Sequence, residues 1–330
     1  MIQPDTFKDT LFNRATVDFN GTALELFTYQ AKYCEPYATF LSALNIDPKS
    51  IQNWRDIPCL PIEAFKKHEV KSGSFEPEVI FTSSGTTGSQ TSKHYVKSMQ
   101  WYHRVFKEAF RLTYGPAKDF RWLCLLPSYL EREGSSLIEM AKTFIDESPF
   151  SDSDFFLRNH DELRTILSSE DAEEIPTILL GVSFGLLDFA EERSFQLPKS
   201  VILMETGGMK GRRVEMIRSE LHDELSKRLG VAFVHSEYGM TEMMSQAYST
   251  GLGEYTTPPW MRVSLRDPAD PLSKSAPGKT GGINVIDLAN VDSCAFIATQ
   301  DLGKTENGTT FHVMGRFDDS DIRGCNLMVQ

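Results

Sequence analysis

FTSSGTTGSQTSK, residues 81–93, decides how this sequence is read. Behind Phe81 it holds eight Ser or Thr, two Gly, one Gln and one Lys, so it cannot build a core. Taken by itself it is either a solvated linker or a loop made for a ligand. EVIF precedes it and a helix-period segment beginning near Ser98 follows it. Strand-to-helix loops are where open α/β sheets bind ligands. Small residues let backbone N–H groups converge on an oxyanion, hydroxyls add donors, and Lys93 adds a point charge. The loop therefore reads as a phosphate cradle. It is not the common P-loop, which needs a Gly-Lys pair where this chain has Gly88-Ser89 and a delayed Lys93.

Outward from the loop the sequence alternates. EVIF (78–81), FRWLCLL (120–126), TILLGV (177–182), SVILME (200–205) and VAFVHS (231–236) are short apolar runs separated by helix-period segments. That alternation predicts βαβ units and a mainly parallel sheet flanked by helices. One helix is expected over 98–114, burying Met99, Tyr102, Phe106 and Phe110. A second is expected in RRVEMIRSELHDELSKRLG (212–230), with Val214, Ile217, Leu221, Leu225 and Leu229 on one stripe and Gly230 as the stop. Residues 22–46 read as helix broken near Pro36. From Trp260 onward WMRVSLRD, GGINVIDL, CAFIATQD and TTFHVMGRF alternate like strands around Gly- and Asn-rich turns. The expectation is an α/β chain with a helical cap (about 1–76), an α/β core (about 77–254), a β-rich subdomain (about 255–314), and a hinge with a short tail (315–330).

Composition narrows the function. With 330 residues, 40% hydrophobic and 11% aromatic, the chain can fill a sizeable core. A formal charge of -12 argues against nucleic-acid binding and against adhesion to an anionic membrane. No apolar run approaches the ~18–20 residues that span a bilayer, and MIQPDTFKDT lacks a basic, then apolar, leader, so a cytoplasmic location is expected. Cys34, Cys59, Cys124, Cys294 and Cys325 lack paired spacing and read as free thiols. No histidine pair has HExxH-like spacing, so no structural zinc is expected, and His94 reads as an exposed helix start.

The ordered run SSGTTG resembles the phosphate loop of the acyl-adenylate-forming (ANL) superfamily, and four further blocks follow in that superfamily's order. METGGMKG (204–211) resembles the loop that lies along adenosine, with Gly207 and Gly208 permitting close approach. EYGMTE (237–242) resembles the Tyr-Gly-x-Thr-Glu motif. This resemblance implies Tyr238 stacking on adenine beside Gly239, Thr241 touching the α-phosphate, and Glu242 holding Mg²⁺. TQDLG (299–303) implies Asp301 on the ribose hydroxyls, with Gln300 where glycine is usual. GRFDDSDIRG (315–324) resembles the hinge, implying Arg316 near ribose or phosphate and Asp318 as pivot, with one extra residue before Ile322. Thr82, Ser83, Ser84, Gly85, Thr86, Thr87 and Gly88 would cradle the phosphates of ATP together with Lys93.

With six residues after Gly324, the superfamily's small C-terminal domain, which carries a catalytic lysine, is not expected here. The overall length, RGCNLMVQ at the end, and LPSYLEREGSSL (126–137) resemble the Lux-type acyl-protein synthetases. That resemblance implies acyl-AMP formation from a carboxylic or fatty acid and transfer to a cysteine near the end, here Cys325, with an acyl-reductase or acyl-carrier protein as partner. Arg323 favours a Cys325 thiolate, whereas Asp318, Asp319 and Asp321 oppose it. Ser128, Tyr129 and Ser135 would line the acyl pocket. Rival readings are an acyl-CoA ligase-like enzyme, a scaffold without catalysis, and a serine hydrolase. The last rests on GVSFG (181–185), which matches a nucleophile elbow at Ser183, with Asp223 or Asp301 and His235 or His312 to follow.

Overall fold

The computed structural model describes residues 2–83, 90–126, 134–157, 159–193, 195–207, 216–270, 272–276 and 278–317. In chain order its elements are α1 (Pro4–Val17), α2 (Phe19–Tyr33), α3 (Glu35–Ala43), β1 (Leu60–Pro61), α4 (Ala64–Lys67), β2 (Val79–Thr82), β3 (Lys93–Val96), α5 (Met99–Tyr114), β4 (Arg121–Leu125), α6 (Ser136–Glu147), β5 (Asp154–Phe155) and α7 (His160–Leu167). There follow β6 (Thr177–Val182), α8 (Ser183–Glu192), β7 (Val201–Thr206), α9 (Arg218–Leu229), β8 (His235–Tyr238), β9 (Ala247–Ser249), β10 (Glu254–Thr256), β11 (Met261–Arg266), β12 (Gly281–Asp287), β13 (Phe296–Lys304) and β14 (Thr310–Arg316). They fall into two compact units, each discontinuous in sequence. Unit 1 draws on Met1–Met99, Glu242–Ser245 and Thr256–Gln330; unit 2 draws on Gln100–Thr241 and Gln246–Tyr255.

Unit 2 is the βαβ part. Strands β5, β4, β6, β7 and β8 run parallel in that order, and β9 pairs antiparallel with β8. All residues of β4 and β6 are buried, as a parallel strand covered on both faces requires. Helix α5 turns Trp101, Tyr102, Val105, Phe106, Ala109 and Phe110 inward. Phe110 meets Trp122 of β4 and Phe144 of α6 with ring centroids near 5 Å. Each such side chain contributes about 2–3 kcal/mol of hydrophobic stabilisation. Helix α9 stops at Gly230, whose φ of +70° is a left-handed conformation that glycine adopts without strain.

Two expectations about this unit change. Helix α9 begins only at Arg218, so its stripe is Leu221, Leu225 and Leu229, while Ile217 precedes the helix and is 61% exposed; Val214 lies outside the described residues. The apolar run VAFVHS is mostly the connection out of α9. Its strand starts at His235, because the ladder with β7 begins at Met204 opposite His235. Glu237 and Tyr238 are therefore part of the strand rather than of a turn after it.

Unit 1 joins the N-terminal helices to the C-terminal strands. β11, β12, β13 and β14 form an antiparallel meander, and β1 lies parallel to β13. The helix break expected near Pro36 falls at Cys34, between α2 and α3. Buried Gln30 of α2 donates through Nε2 to the carbonyls of Asn290, Val291 and Ser293, and its Oε1 accepts the Ala295 N–H at 2.9 Å. One amide thus satisfies four backbone groups of the β12–β13 connection, which burial alone would leave costly. EVIF is not a member of the parallel sheet: it supplies β2, which pairs with β3 in a separate two-stranded hairpin.

Candidate functional site

In unit 1 the hydroxyl-rich run joins two antiparallel strands, not a strand and a helix. Thr82 stands opposite Lys93 in the ladder. Beyond them the Ser83 N–H donates to the Ser92 carbonyl at 3.1 Å, and the Ser92 N–H donates to Ser83 Oγ at 2.9 Å. The polar ends of the run pair with each other, which closes a hairpin where local periodicity points only to a loop. Ser84, Gly85, Thr86, Thr87 and Gly88 lie outside the described residues. Lys93 is exposed at the start of β3. His94 is a correction: it is 1% exposed, packs edge-on against Phe65, and has Nε2 3.1 Å from Asn290 Oδ1.

The same asparagine leads to Glu242. Asn290 Nδ2 donates to the Glu242 carbonyl at 2.8 Å and to the Cys294 carbonyl at 3.0 Å. Its Oδ1 is therefore the acceptor, and His94 is the donor at Nε2. Asp287, wholly buried at the end of β12, fixes the residues after Glu242: its Oδ2 accepts the N–H groups of Met244 and Ser245 at 2.9 Å each, and Oδ1 accepts Ser245 Oγ–H at 2.6 Å. The Glu242 side chain is itself buried. Burial pushes its carboxyl up from the ordinary range, while the Ser92 hydroxyl, its own backbone N–H, and the charges of Arg316 and Lys66 act in the opposite sense. A desolvated carboxylate of this kind fits Mg²⁺, which takes hard oxygen ligands and is commonly held by one or two carboxylates plus phosphates and water.

Asp301 and Arg316 are cross-strand partners in the β13–β14 ladder, with Arg316 Nε 3.4 Å from Asp301 Oδ1. TQDLG lies inside β13 rather than at a strand end. Gln300 adds to this group: its Nε2 donates to Glu63 Oε1 at 2.6 Å, and its Oε1 accepts from Arg316 at 3.4 Å. Asp318 and Cys325 lie outside the described residues.

Unit 2 carries the other motif residues. Strand β7 runs into Gly207, whose φ of +69° turns the chain; Gly208 is outside the described residues. Tyr238, at the end of β8, is buried with its ring 5.7 Å from that of Tyr255, and Gly239 and Thr241 are half-buried. A side chain at Gly239 would place its Cβ 2.4 Å from Glu237 Oε1. Glu237 accepts from Thr206 Oγ1. Burial, with Glu205 nearby, raises its carboxyl to about 7 although Thr206 opposes this. Ser135 caps α6, its Oγ accepting the Ile138 N–H at 3.4 Å; Ser128 and Tyr129 are outside the described residues.

Ser183 does stand between a strand and a helix, yet its environment is not that of a nucleophile. It is 2% exposed, does not have positive φ, and donates to Gly207 O at 3.1 Å and Glu205 Oε2 at 3.3 Å. Glu205 stands between it and His222, whose Nε2 is 3.6 Å from Glu205 Oε1. A triad requires the histidine in the middle. Burial would raise the Glu205 carboxyl, but Arg218 and His222 hold it below the ordinary range. Among His235 and Asp223, candidates in this unit, His235 Nδ1 pairs with the Tyr114 hydroxyl at 3.0 Å.

Sequence reasoning missed Asp287, Asn290, Ser92 and Lys66. The run DLANVD at the end of a predicted strand carried a signal, since Asp and Asn at strand ends commonly bond nearby backbone.

The fold is similar to several solved ligases. ATP-bound MatB from Rhodopseudomonas palustris matches at 17% identity over 74% of this chain and 49% of that one, TM-score 0.53. A 2-hydroxyisobutyryl-CoA ligase in complex with 2-HIB-AMP and CoA matches at 14% over 91% and 74%, TM-score 0.65. O-succinylbenzoate coenzyme A synthetase (MenE) from Bacillus subtilis, in complex with AMP, matches at 22% over 73% and 49%, TM-score 0.51. The chain thus spans about half the length of MatB and MenE, and at these identities the likeness establishes the ANL-type fold. No curated protein sequence matches the chain. A family model described as acyl-protein synthetase, LuxE, matches residues 133–330, well over half of the sequence, and the chain belongs to that family.

Proposed function

We propose that this protein is an ATP-dependent acyl-protein synthetase. It activates a carboxylic acid of the fatty class as acyl-AMP, then passes the acyl group to a thiol, either Cys325 or one on an acyl-reductase or acyl-carrier partner. The observation that carries the reading is the surroundings of Glu242: a desolvated carboxylate on a stretch of backbone that Asn290 and Asp287 fix, under the influence of two cations. Family membership supports it.

In the first step an acid oxygen attacks the α-phosphorus, and the bond to the bridging oxygen breaks so that pyrophosphate leaves with the electron pair. Mg²⁺ at Glu242 would supply charge neutralisation on the phosphate oxygens. Thr82, Ser83 and Lys93, with Ser84 to Gly88, donate to the phosphates; Asp301 accepts from the ribose hydroxyls, and Arg316 takes ribose or phosphate. Tyr238, Gly207 and Gly208 serve the adenosine, and Thr241 the α-phosphate. Preorganised donors of this kind are the main catalytic term for developing charge. In the second step a thiolate attacks the mixed anhydride, AMP leaves, and a thioester remains.

The other thiols are poorly suited to that step. Burial pushes Cys34 up to about 11 and Cys59 up to about 12, and raises Cys124 and Cys294 as well, so none is a ready thiolate at neutral pH. Acid-dependent exchange of labelled pyrophosphate into ATP, across a panel of carboxylic acids, tests the reading. Exchange with no acid in the panel, under conditions where the protein is folded, refutes it. Among the described residues no helix is long and apolar enough to cross a membrane.

A further inference from the structure

Of the two cations that act on Glu242, only Arg316 belongs to a recognised motif. The other is Lys66, on α4. Several contacts fix where that short helix lies. β1 pairs with β13 through Leu60–Ile297 and Pro61–Ala298, and the Ile62 N–H continues the ladder to the Ala298 carbonyl at 3.0 Å. Glu63 Oε1 accepts from Gln300, which also receives Arg316. Phe65 is buried against the His94 ring, and His94 leads through Asn290 to Glu242. The residues on the N-terminal side of Lys66 are thus tied both to the strand bearing Asp301 and to the asparagine that holds Glu242.

The charges do not cancel. Arg316 has Asp301 at 3.4 Å, whereas Lys66 forms no ion pair within 4 Å among the described residues. Half-buried Lys66 therefore brings a positive charge held in no such ion pair to a corner where the buried Glu242 carboxylate suits a metal ion. An ammonium on a flexible four-carbon stem is a point charge well suited to phosphate oxygens.

We propose that Lys66 is a catalytic residue that binds the β- and γ-phosphates of ATP and stabilises the departing pyrophosphate. The inference rests on the adenylation reading above. As the acid oxygen bonds to the α-phosphorus, the bridging oxygen takes the electron pair, and Lys66 remains protonated while neutralising the charge that appears there. No oxidant or reductant is involved.

The test compares full-length wild type, Lys66→Met, which keeps most of the aliphatic stem, Lys66→Ala, and the exposed neighbour Lys67→Ala. Each is titrated calorimetrically with ATP and, separately, with AMP, in magnesium buffer, after thermal melts establish folding. Both Lys66 variants are expected to bind ATP about tenfold more weakly or worse, the size of one charge-assisted bond to phosphate. AMP affinity should stay within twofold, and Lys67→Ala should match wild type. ATP affinity within twofold of wild type in Lys66→Met overturns the proposal, as does a parallel loss of AMP and ATP affinity. Wild type that binds neither nucleotide overturns the adenylation reading itself, a distinct result.

Discussion

Asp287→Ala is the sharpest structural test of how Glu242 is held. The carboxylate is wholly buried and accepts the amide protons of Met244 and Ser245 and the hydroxyl of Ser245, which in turn accepts the Trp260 indole N–H at 2.9 Å. Ala289 N–H is a third amide donor to this carboxylate, at 3.2 Å, so truncation leaves three amide N–H groups that cannot turn away, and one hydroxyl that can. Each buried donor left unpaired costs about 1–3 kcal/mol, so the three amides and the weakened indole contact together predict a loss of at least about 3 kcal/mol. Against a typical domain stability of about 5–15 kcal/mol this is large. Asp287→Asn keeps one acceptor oxygen and should lose about half as much. Urea unfolding at pH 7, with the slope compared between variants, measures both. A loss below about 1 kcal/mol for the alanine variant at unchanged slope would refute the reasoning.

Glu242→Gln keeps the shape but removes the charge that a divalent ion needs; pyrophosphate exchange should fall by about 100-fold and lose its steep magnesium dependence. Glu237→Gln should flatten part of the pH profile of stability. The native carboxyl holds its proton to about 7 while the unfolded one releases it near 4.5, so between those values the native state binds more protons and wild type loses stability as pH rises. The ceiling is on the order of 3 kcal/mol, and denaturant midpoints at pH 5 and 7.5 that differ equally in both proteins would count against it. Cys325→Ser should still exchange pyrophosphate yet accumulate no hydroxylamine-labile acyl-protein. An acyl adduct equal to wild type in intact-mass spectra would point to another acceptor.

The elements that local pattern revealed are those whose burial is local. Helix α5 begins at Met99 and ends at Tyr114, as its spacing implies, because one apolar face suffices to define it. The strands β4, β6 and β7, and the four strands of the meander from β11 to β14, were equally legible as apolar runs or alternations. What stayed hidden depends on distant partners. KHYV has no apolar alternation, and buried His94 meets its acceptor at Asn290, 196 residues later. VAFVHS has the composition of a strand, but most of it has no ladder partner to meet. In the proposed site, Glu242, Asp301 and Arg316 stand out in the sequence as motif residues, whereas the neighbouring Asp287, Asn290 and Lys66 do not. Nothing in ordinary residues at ordinary spacing announces a bond closed across 40 to 200 positions.

The amide of Gln30 has a consequence for a chain emerging from the ribosome. Its helix leaves the exit tunnel some 260 residues ahead of the carbonyls it must satisfy. At about 5–20 residues per second that is a wait of roughly 10 to 50 s, during which a polar group and an apolar helix face stand without their native cover. The βαβ unit, finished by Tyr255, can condense in that interval, while the first-made helices are among the last to dock.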